Sequence, residues 1–197
     1  MANADAVVVA ATSVVINLNA SGQAEAILAS LPYRVVVTDI VAGELDEDRR
    51  SGRQDADLLA ALVRDGGVRV VSLNEADLDV FGTLVTGPAA ETPDDGEAST
   101  IAYAVEHGIA PVIDERKGLN ICRTRFPALK PKTTVDLFAD PAVTEALGRD
   151  TVAGAVFLAL RDARIRMAVE HLAWVIDQIG PDRATLCPSL PRGARRK

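Results

Sequence analysis

Short runs of Val, Ile and Ala recur along the chain, and polar residues, Gly or Pro bound each of them. The runs cover residues 6–10, 34–37, 68–72 and 110–113. They are largely continuous in apolar residues instead of alternating, as expected for strands buried on both faces of a parallel sheet. The pattern therefore predicts four strands of one parallel sheet.

Apolar residues between these runs follow the spacing of a helix face. They are Ala24, Ile27 and Leu31; Leu58, Leu59, Leu62 and Val63; Leu78, Phe81 and Val85; and Ala98, Ile101, Ala102 and Val105. Strands and helices that alternate in this way predict a doubly wound α/β sheet. Gly108 is a helix stop before the fourth strand, because glycine readily adopts the left-handed conformation that ends helices.

After residue 132 the pattern changes to helices alone. We predict three of them, beginning near Asp140, near Arg149 and at Val169, with the last ending at Gly180. The predicted organisation is thus a main domain, a helical extension and a flexible basic tail, at residues 1–138, 139–187 and 188–197.

The composition fits one well-buried core with an appended subdomain, since the 197 residues are 48% hydrophobic and 25% charged. No apolar run reaches the roughly 20 residues that cross a bilayer, and the N-terminus lacks the basic region of a secretory signal. Cys122 and Cys187 lie far apart without a CxxC spacing, so neither a disulfide framework nor a zinc site is expected. We therefore expect a cytoplasmic protein without a membrane partner.

The net charge of −7 argues against a nucleic-acid partner, because phosphate binding usually leaves a basic footprint. The distribution of charge weakens this argument. A basic stretch at residues 116–132 has no acidic residue, and it contains Arg116, Lys117, Arg123, Arg125, Lys130 and Lys132. A second cluster contains Arg192, Arg195, Arg196 and Lys197. Taken alone, each cluster is more typical of a solvated surface than of a phosphate contact.

Acidic residues follow the predicted strands, at the edge where open α/β sheets have their functional crevice. Asp114 ends the apolar run 110–113, and Glu115 follows it. Glu97 stands at the start of a predicted helix. Glu44 lies beyond the second strand, and the acidic residues three and four positions after it repel it.

Each acid also has a local interpretation. Asp114 can cap the helix that follows it, and Asp94 with Glu97 three residues later forms an acidic capping box. Glu44 can be an unpaired surface residue. If the three acids converge, however, a divalent cation has to neutralise them, and oxygen-only sites suit Mg²⁺ or Mn²⁺. Such an ion can activate water and clamp a scissile phosphate.

Four segments together resemble the motifs of PIN-domain proteins. The run 7–18 resembles their opening strand and turn, and 36–45 resembles a second motif with its Glu. Gly-Glu-Ala-Ser-Thr-Ile-Ala-Tyr-Ala at 96–104 is close to the GEAxxIxxA pattern of one PIN branch, and 111–118 resembles the fourth motif. The motifs occur in the right order within residues 6–138, and as a set they are more specific than any one of them.

The resemblance implies an α/β/α sandwich in which a quartet of acids binds Mg²⁺ or Mn²⁺ and cleaves RNA. Many small bacterial members are toxins restrained by an antitoxin protein, so it also implies a toxin with an antitoxin partner, and a homodimer. The implied quartet is position 11, Glu44, Glu97 and Asp114, with Glu115 as a substitute for the last. The implied supporting residue is Ser13. Because the basic stretch directly follows Asp114, near the implied site, we also expect Arg116, Lys117 and Arg123 to contact the RNA backbone.

Position 11 is Ala, and a methyl group cannot bind a metal ion. We therefore expect this chain to bind Mg²⁺ or Mn²⁺ weakly and to cleave RNA little or not at all. Two explanations stay open: an introduced inactivating substitution, or the natural sequence of a degenerate domain kept for binding. The other three acids favour the first, since a long-abandoned site should lose more than one.

A non-catalytic binding module of the same fold, acting on a partner protein or on RNA, is the main alternative. A receiver-like signalling domain fits poorly, because no acidic pair follows the first strand and no Asp follows the third. The chain offers no rival catalytic set. His107 and His171 lack a nucleophile partner in any recognisable motif, and the GxGxxG, P-loop and GxSxG patterns are absent.

Overall fold

The chain divides into two compact units in the computed structural model. The sheet unit comprises Met1–Val15 and Pro32–Lys132, and the helical unit comprises Ile16–Leu31 and Thr133–Lys197. The residues that the structure describes are 6–49, 51–88, 92–165 and 167–195. The domain boundary expected after residue 138 stays a prediction.

The centre of the sheet unit is a parallel sheet of four strands. The strands are β1 Val7–Ala10, β2 Arg34–Thr38, β3 Val68–Val71 and β4 Ala110–Val112. Their order is β3-β2-β1-β4, with Val9 beside Val36 and Ala10 beside Val112. Val9 and Val36 are at most 1% exposed, as a strand covered on both faces requires. The four predicted strands and their parallel arrangement are confirmed.

Helices follow every strand. Those of the described part of the chain are α1 Thr12–Ala20, α2 Ala24–Ser30, α3 Asp39–Arg49, α4 Asp55–Arg64, α5 Glu75–Val85, α6 Asp95–His107, α7 Arg116–Arg125, α8 Thr134–Phe138, α9 Pro141–Leu147, α10 Arg149–Leu158 and α11 Leu172–Ala184. Shorter helical turns cover Ala159–Ala163, Val169–His171 and Arg192–Arg195. A parallel sheet packed with helices, followed by a helical C-terminal region, is the predicted α/β/α class, which is confirmed.

Helix α6 is the helix that contacts most of the sheet, since it packs against β1, β2 and β4. Every residue from Gly96 to Ala104 is buried. Asp94 caps its first turn by accepting a hydrogen bond from the Glu97 N–H at 2.8 Å. Gly108 ends it in the left-handed conformation, with φ of 62°. The N-cap at Asp94 and the helix stop at Gly108 are confirmed, and the second half of the capping box, from the Glu97 side chain, stays a prediction.

The helical unit packs α2 against α9 and groups α8, α9 and α11 around α10. The helix predicted to end at Gly180 kinks there, where φ is 78°, and continues to Ala184. The segment predicted as a tail contains a buried residue, Leu190, which is 1% exposed. Arg196 and Lys197 lie outside the described residues. No helix in the described ranges is long and apolar enough to span a membrane.

Candidate active site

The C-terminal edge of the sheet carries position 11. Ala11 directly follows β1, and its N–H donates to the Val112 carbonyl of β4 at 3.1 Å. Asp114 lies two residues beyond Val112 and is 5% exposed. The pairing of β1 with β4 therefore brings Ala11 and Asp114 to the same edge.

The Ala11 side chain itself is buried in apolar surroundings. It is 1% exposed and belongs to a core cluster that includes Leu84, Ala98, Ile101 and Ile113. A carboxylate built at this position would be removed from water, and an ionised group in such a place needs a compensating cation.

Glu44 is fixed by two donors from other elements. The Gly96 N–H, in the first turn of α6, donates to Glu44 Oε1 at 2.7 Å, and the Thr12 hydroxyl donates to Glu44 Oε2. Burial raises the pKa of the Glu44 carboxyl, the hydrogen bonds from Thr12 and Gly96 oppose that rise, and the charges of Asp94 and Asp95 add to it. The two hydrogen bonds therefore fix the Glu44 carboxylate in place, close to the negative charges of Asp94 and Asp95.

Two glycines leave room for these carboxylates. A methyl group at Gly96 would overlap Glu44 Oε2 and the Thr12 hydroxyl. A methyl group at Gly118 of α7 would lie 2.8 Å from Glu97 Oε1. Both positions need glycine because the acid side chains occupy the space that a Cβ would fill.

Three carboxylates form what we call the acid group: Asp94, Glu97 and Glu115 each offer an oxygen within 4.8 Å of the others. Glu97 is 3% exposed, Asp94 is exposed, and Glu115 is half-buried. Like charges this close repel strongly unless a cation neutralises them or a proton is taken up. Carboxylate oxygens alone are the donor set that suits Mg²⁺ or Mn²⁺, so the residues present fit such an ion.

The acid group overlaps the predicted ligand set without matching it. Glu97 and Glu115 belong to both, whereas Glu44 and Asp114 lie outside the acid group. Glu44 is nevertheless bonded to Gly96, the residue before Glu97. The catalytic roles assigned to these residues stay predictions.

Several residues at this edge were not singled out by sequence reasoning. Asp94 was interpreted only as a helix cap, since a cap and a metal ligand have the same residue type there. Thr12, Gly96 and Gly118 were recognised only as parts of motifs, and their contacts are long-range. The predicted support residue Ser13 has a buried hydroxyl that makes no hydrogen bond within the described part of the chain.

Helix α7 separates the basic residues at the beginning of the basic stretch from those further along it. Arg116 and Lys117 begin the helix directly after Glu115, and the Lys117 ammonium donates to the Thr92 carbonyl at 2.8 Å. Arg123 and Arg125 lie in the last turn. A helix of ten residues spans about 15 Å, so only the beginning of the stretch adjoins the acid group. Contacts of Arg116, Lys117 and Arg123 with RNA stay predictions.

A comparison with protein families identifies the chain. A family model described as a PIN domain matches residues 7–180. No curated protein and no solved structure matches the chain. The match covers the sheet unit and most of the C-terminal helices, and the chain therefore belongs to the PIN-domain family.

Proposed function

We propose that this chain carries the site of a metal-dependent endoribonuclease of PIN type, with one carboxylate missing at Ala11. The observation that carries the proposal is the acid group, in which the buried Glu97 lies within 4.8 Å of two other carboxylates. Such a concentration of negative charge costs folding free energy. It is explained if the acids serve to hold Mg²⁺ or Mn²⁺.

In this proposal Asp94, Glu97 and Glu115 hold the ion, and Glu44 is positioned by Thr12 and Gly96 at its side. When bound, the ion would polarise a phosphoryl oxygen and lower the pKa of a water molecule. Arg116 and Lys117, which follow Glu115 directly, would hold the RNA backbone at the same edge.

Ala11 should make the chain as it stands a weak metal binder that cleaves RNA little or not at all. Losing one ligand removes a full negative charge, and a misplaced reacting group can cost about 100-fold in rate. A role as the toxin of a toxin–antitoxin pair, with an antitoxin protein as partner, extends the same proposal. An antitoxin would then bind the Ala11→Asp protein and suppress its activity.

The test is an RNA cleavage assay with Mn²⁺ on the chain and on its Ala11→Asp and Ala11→Asn variants. Ala11→Asp should cleave several single-stranded RNAs in a metal-dependent manner. Ala11→Asn is the matched control, because it has nearly the same shape but no charge, and it should stay as inactive as the unmodified chain. Cleavage by the Ala11→Asp variant should weaken steeply as salt is raised, if basic residues hold the backbone.

Thermal unfolding separates an intact site from a misfolded variant. Without metal, the carboxylate that Ala11→Asp introduces would be buried among apolar residues and should lower the melting temperature. Mn²⁺ should restore it, because an ion that binds only the folded state stabilises that state. A folded, Mn²⁺-stabilised Ala11→Asp protein that cuts no RNA would contradict the nuclease proposal.

The alternative is a non-catalytic binding module, and the packing of Ala11 favours it. Its methyl group fills an apolar space beside Ala98 and Ile113, as in a core that has adapted to the loss of the acid. In that case Ala11→Asp would be destabilised whether or not Mn²⁺ is present. RNA or a partner protein would then bind the unmodified chain without being cleaved.

A further inference from the structure

A cavity lies at the other end of helix α7, away from the acid group. It has a volume of about 540 Å³ and is lined by the end of α6, the start of β4 and the loop that follows α7. Ala110, at the N-terminal end of β4, lines it, whereas Asp114 and Glu115 follow the C-terminal end of that strand. The cavity is therefore a second concave region of the sheet unit, and the proposed nuclease mechanism does not use it.

Its walls are apolar and anchored in the core. Val105, Ile109, Phe126 and Leu129 line the cavity, and each is a partly buried residue packed against a core cluster. Side chains held in this way form a cavity before any ligand arrives, and pockets that bind small molecules measure about 300–1,000 Å³. The size and the walls fit a compact apolar body.

Two cations, Arg125 and Lys130, complete the lining, and both are exposed. The Arg125 guanidinium donates to the Thr83 hydroxyl at 3.3 Å and lies 5.6 Å from the centre of the Phe126 ring. Within the described ranges, neither cation has a carboxylate at ion-pair distance. Among the residues that the structure describes, no carboxylate therefore pairs with the positive charge at the cavity.

Some arginines elsewhere pair with carboxylates, whereas others among the described residues, such as Arg34 and Arg69, do not. The net charge is −7. Arginines with a neighbouring carboxylate are Arg49, Arg53, Arg64, Arg149 and Arg161. Two uncompensated cations beside one apolar cavity, in an acidic chain, complement a ligand that joins an apolar body to a negative group.

We propose that this cavity is a binding site for a small amphipathic anion. The apolar body of the ligand fills the space between Ile109, Phe126 and Leu129, and its carboxylate or phosphate lies against Arg125 and Lys130. A neutral ligand of the same shape would leave the two cations without a partner. The site works independently of the metal ion, because its residues are separate from the acid group.

The probe for this site is 8-anilinonaphthalene-1-sulfonate, an apolar anion whose fluorescence rises on transfer from water to an apolar pocket. Its neutral relative, N-phenyl-1-naphthylamine, lacks the sulfonate. We expect saturable binding of the anion by the full chain with one site, and affinity for the neutral dye that is weaker by about fivefold, as for exposed ion pairs. Octanoate should displace the bound dye at lower concentration than octan-1-ol.

Variants locate the site. Arg125→Gln with Lys130→Gln should bring the affinity for the anionic dye down to that for the neutral one. Ala128→Trp, at an exposed lining residue, should block both dyes by filling the cavity. The matched control is Arg34→Gln with Arg69→Gln, which removes two exposed cations from strands β2 and β3.

Two results would overturn the proposal. One is dye affinity that stays unchanged in the cavity variants while their circular dichroism and melting temperature match the parent chain. The other is equal affinity of the parent for the charged and the neutral dye. Because RNA cleavage is not measured, failure here leaves the proposed nuclease function untouched.

Discussion

The sheet unit and the helical unit bury different kinds of polar group. In the sheet unit the buried side chains include the carboxylates of Asp77, Glu97 and Asp114, which are 0%, 3% and 5% exposed. In the helical unit the buried polar side chains of the described residues are uncharged, and they belong to Asn17, Ser21, Thr133 and Thr134. Removing an ionised carboxylate from water costs far more free energy than removing a hydroxyl.

Charged residues of the helical unit pair at its surface. Arg149 lies 2.7 Å from Asp177, and Arg161 lies 2.6 Å from Asp162, with every one of these side chains at least 45% exposed. Exposed pairs of this kind contribute little to stability, because water screens their attraction. The helical unit thus keeps these charges at its surface, whereas the sheet unit buries the carboxylates of Asp77, Glu97 and Asp114. Buried acids of that kind are enriched at functional sites, and this enrichment supports the proposed site in the sheet unit.

The largest expected effect comes from removing the Glu97 charge. In the Ala11→Asp background, Glu97→Gln should reduce Mn²⁺-dependent RNA cleavage by about 100-fold or more, because ligands of one site act as a unit. Without metal, the same change should raise the melting temperature, since a buried like-charge repulsion is relieved. Single-turnover cleavage and thermal unfolding measure the two effects.

A matched change in the helical unit is Glu145→Gln, at an exposed position of α9. It should alter neither cleavage nor melting temperature measurably, because exposed substitutions away from partners change stability by about 0.5 kcal/mol at most. Equal losses of cleavage from Glu97→Gln and Glu145→Gln would remove the contrast between the two units.

The two cysteines lie in different units, and the charges near them differ. Burial and, secondly, the charge of Glu97 raise the pKa of Cys122 from 9.0 to about 11. Burial also raises the pKa of Cys187, but there the charge of Arg161 opposes the rise. Cys122 should therefore stay protonated at pH 8, with about 100-fold less thiolate than an ordinary thiol, and the folded state should lose stability as the pH rises from 9 towards 11.

Alkylation with iodoacetamide at pH 8 tests this expectation on Cys187→Ser, which leaves Cys122, and on Cys122→Ser, which leaves Cys187. Cys122 should react the more slowly of the two in the folded chain. Both should react at the same rate in guanidinium chloride, where burial is lost. Faster reaction of folded Cys122 than of Cys187 would contradict the stronger suppression of the Cys122 thiolate that burial and the Glu97 charge predict.

Strands and helix ends could be predicted from the sequence because their signals are local. Continuous Val and Ile runs marked the four strands, and Asp94 and Gly108 marked the ends of α6. Helix α1 was harder to predict from the sequence, because its β-branched Val14, Val15 and Ile16 continue the apolar run of β1. The kink at Gly180 was predicted as an end, because glycine alone does not reveal whether the chain resumes a helix.

The candidate site was predictable only in part, because its geometry depends on contacts between distant residues. Glu97 was found from its place at a helix start, but its approach to Glu115 depends on how α6 packs beside α7. The two hydrogen bonds that fix Glu44 come from Thr12 and Gly96, which are 32 and 52 residues away from it in sequence. The grouping of Ile16–Leu31 with the C-terminal helices likewise has no local signal.

Replacing a glycine that lies next to a carboxylate should have the next smaller effect, which is a loss of stability. A methyl group at Gly118 would lie 2.8 Å from Glu97 Oε1 and 2.9 Å from Ile113 Cγ2. Gly118→Ala should therefore lower the free energy of unfolding by about 1–3 kcal/mol, as overpacking does, and displace Glu97. Urea denaturation measures the loss. Gly82→Ala in α5 is the control, because no atom lies within 4 Å of a methyl group there.

The smallest effect is expected in the helical unit, at Gly154 in the interior of α10. A methyl group there meets no atom within 4 Å, and the backbone is not in the left-handed region. Gly154→Ala should raise the free energy of unfolding by about 0.5–1 kcal/mol, because alanine loses less backbone entropy on folding and favours helix. For a chain of this size, that corresponds to a rise in melting temperature of roughly 1–4 °C. The gain should be the same with and without Mn²⁺, since no carboxylate depends on this glycine. A loss of stability at Gly154, comparable to that at Gly118, would show that close packing around glycine is general in this protein and does not distinguish the unit with the buried acids.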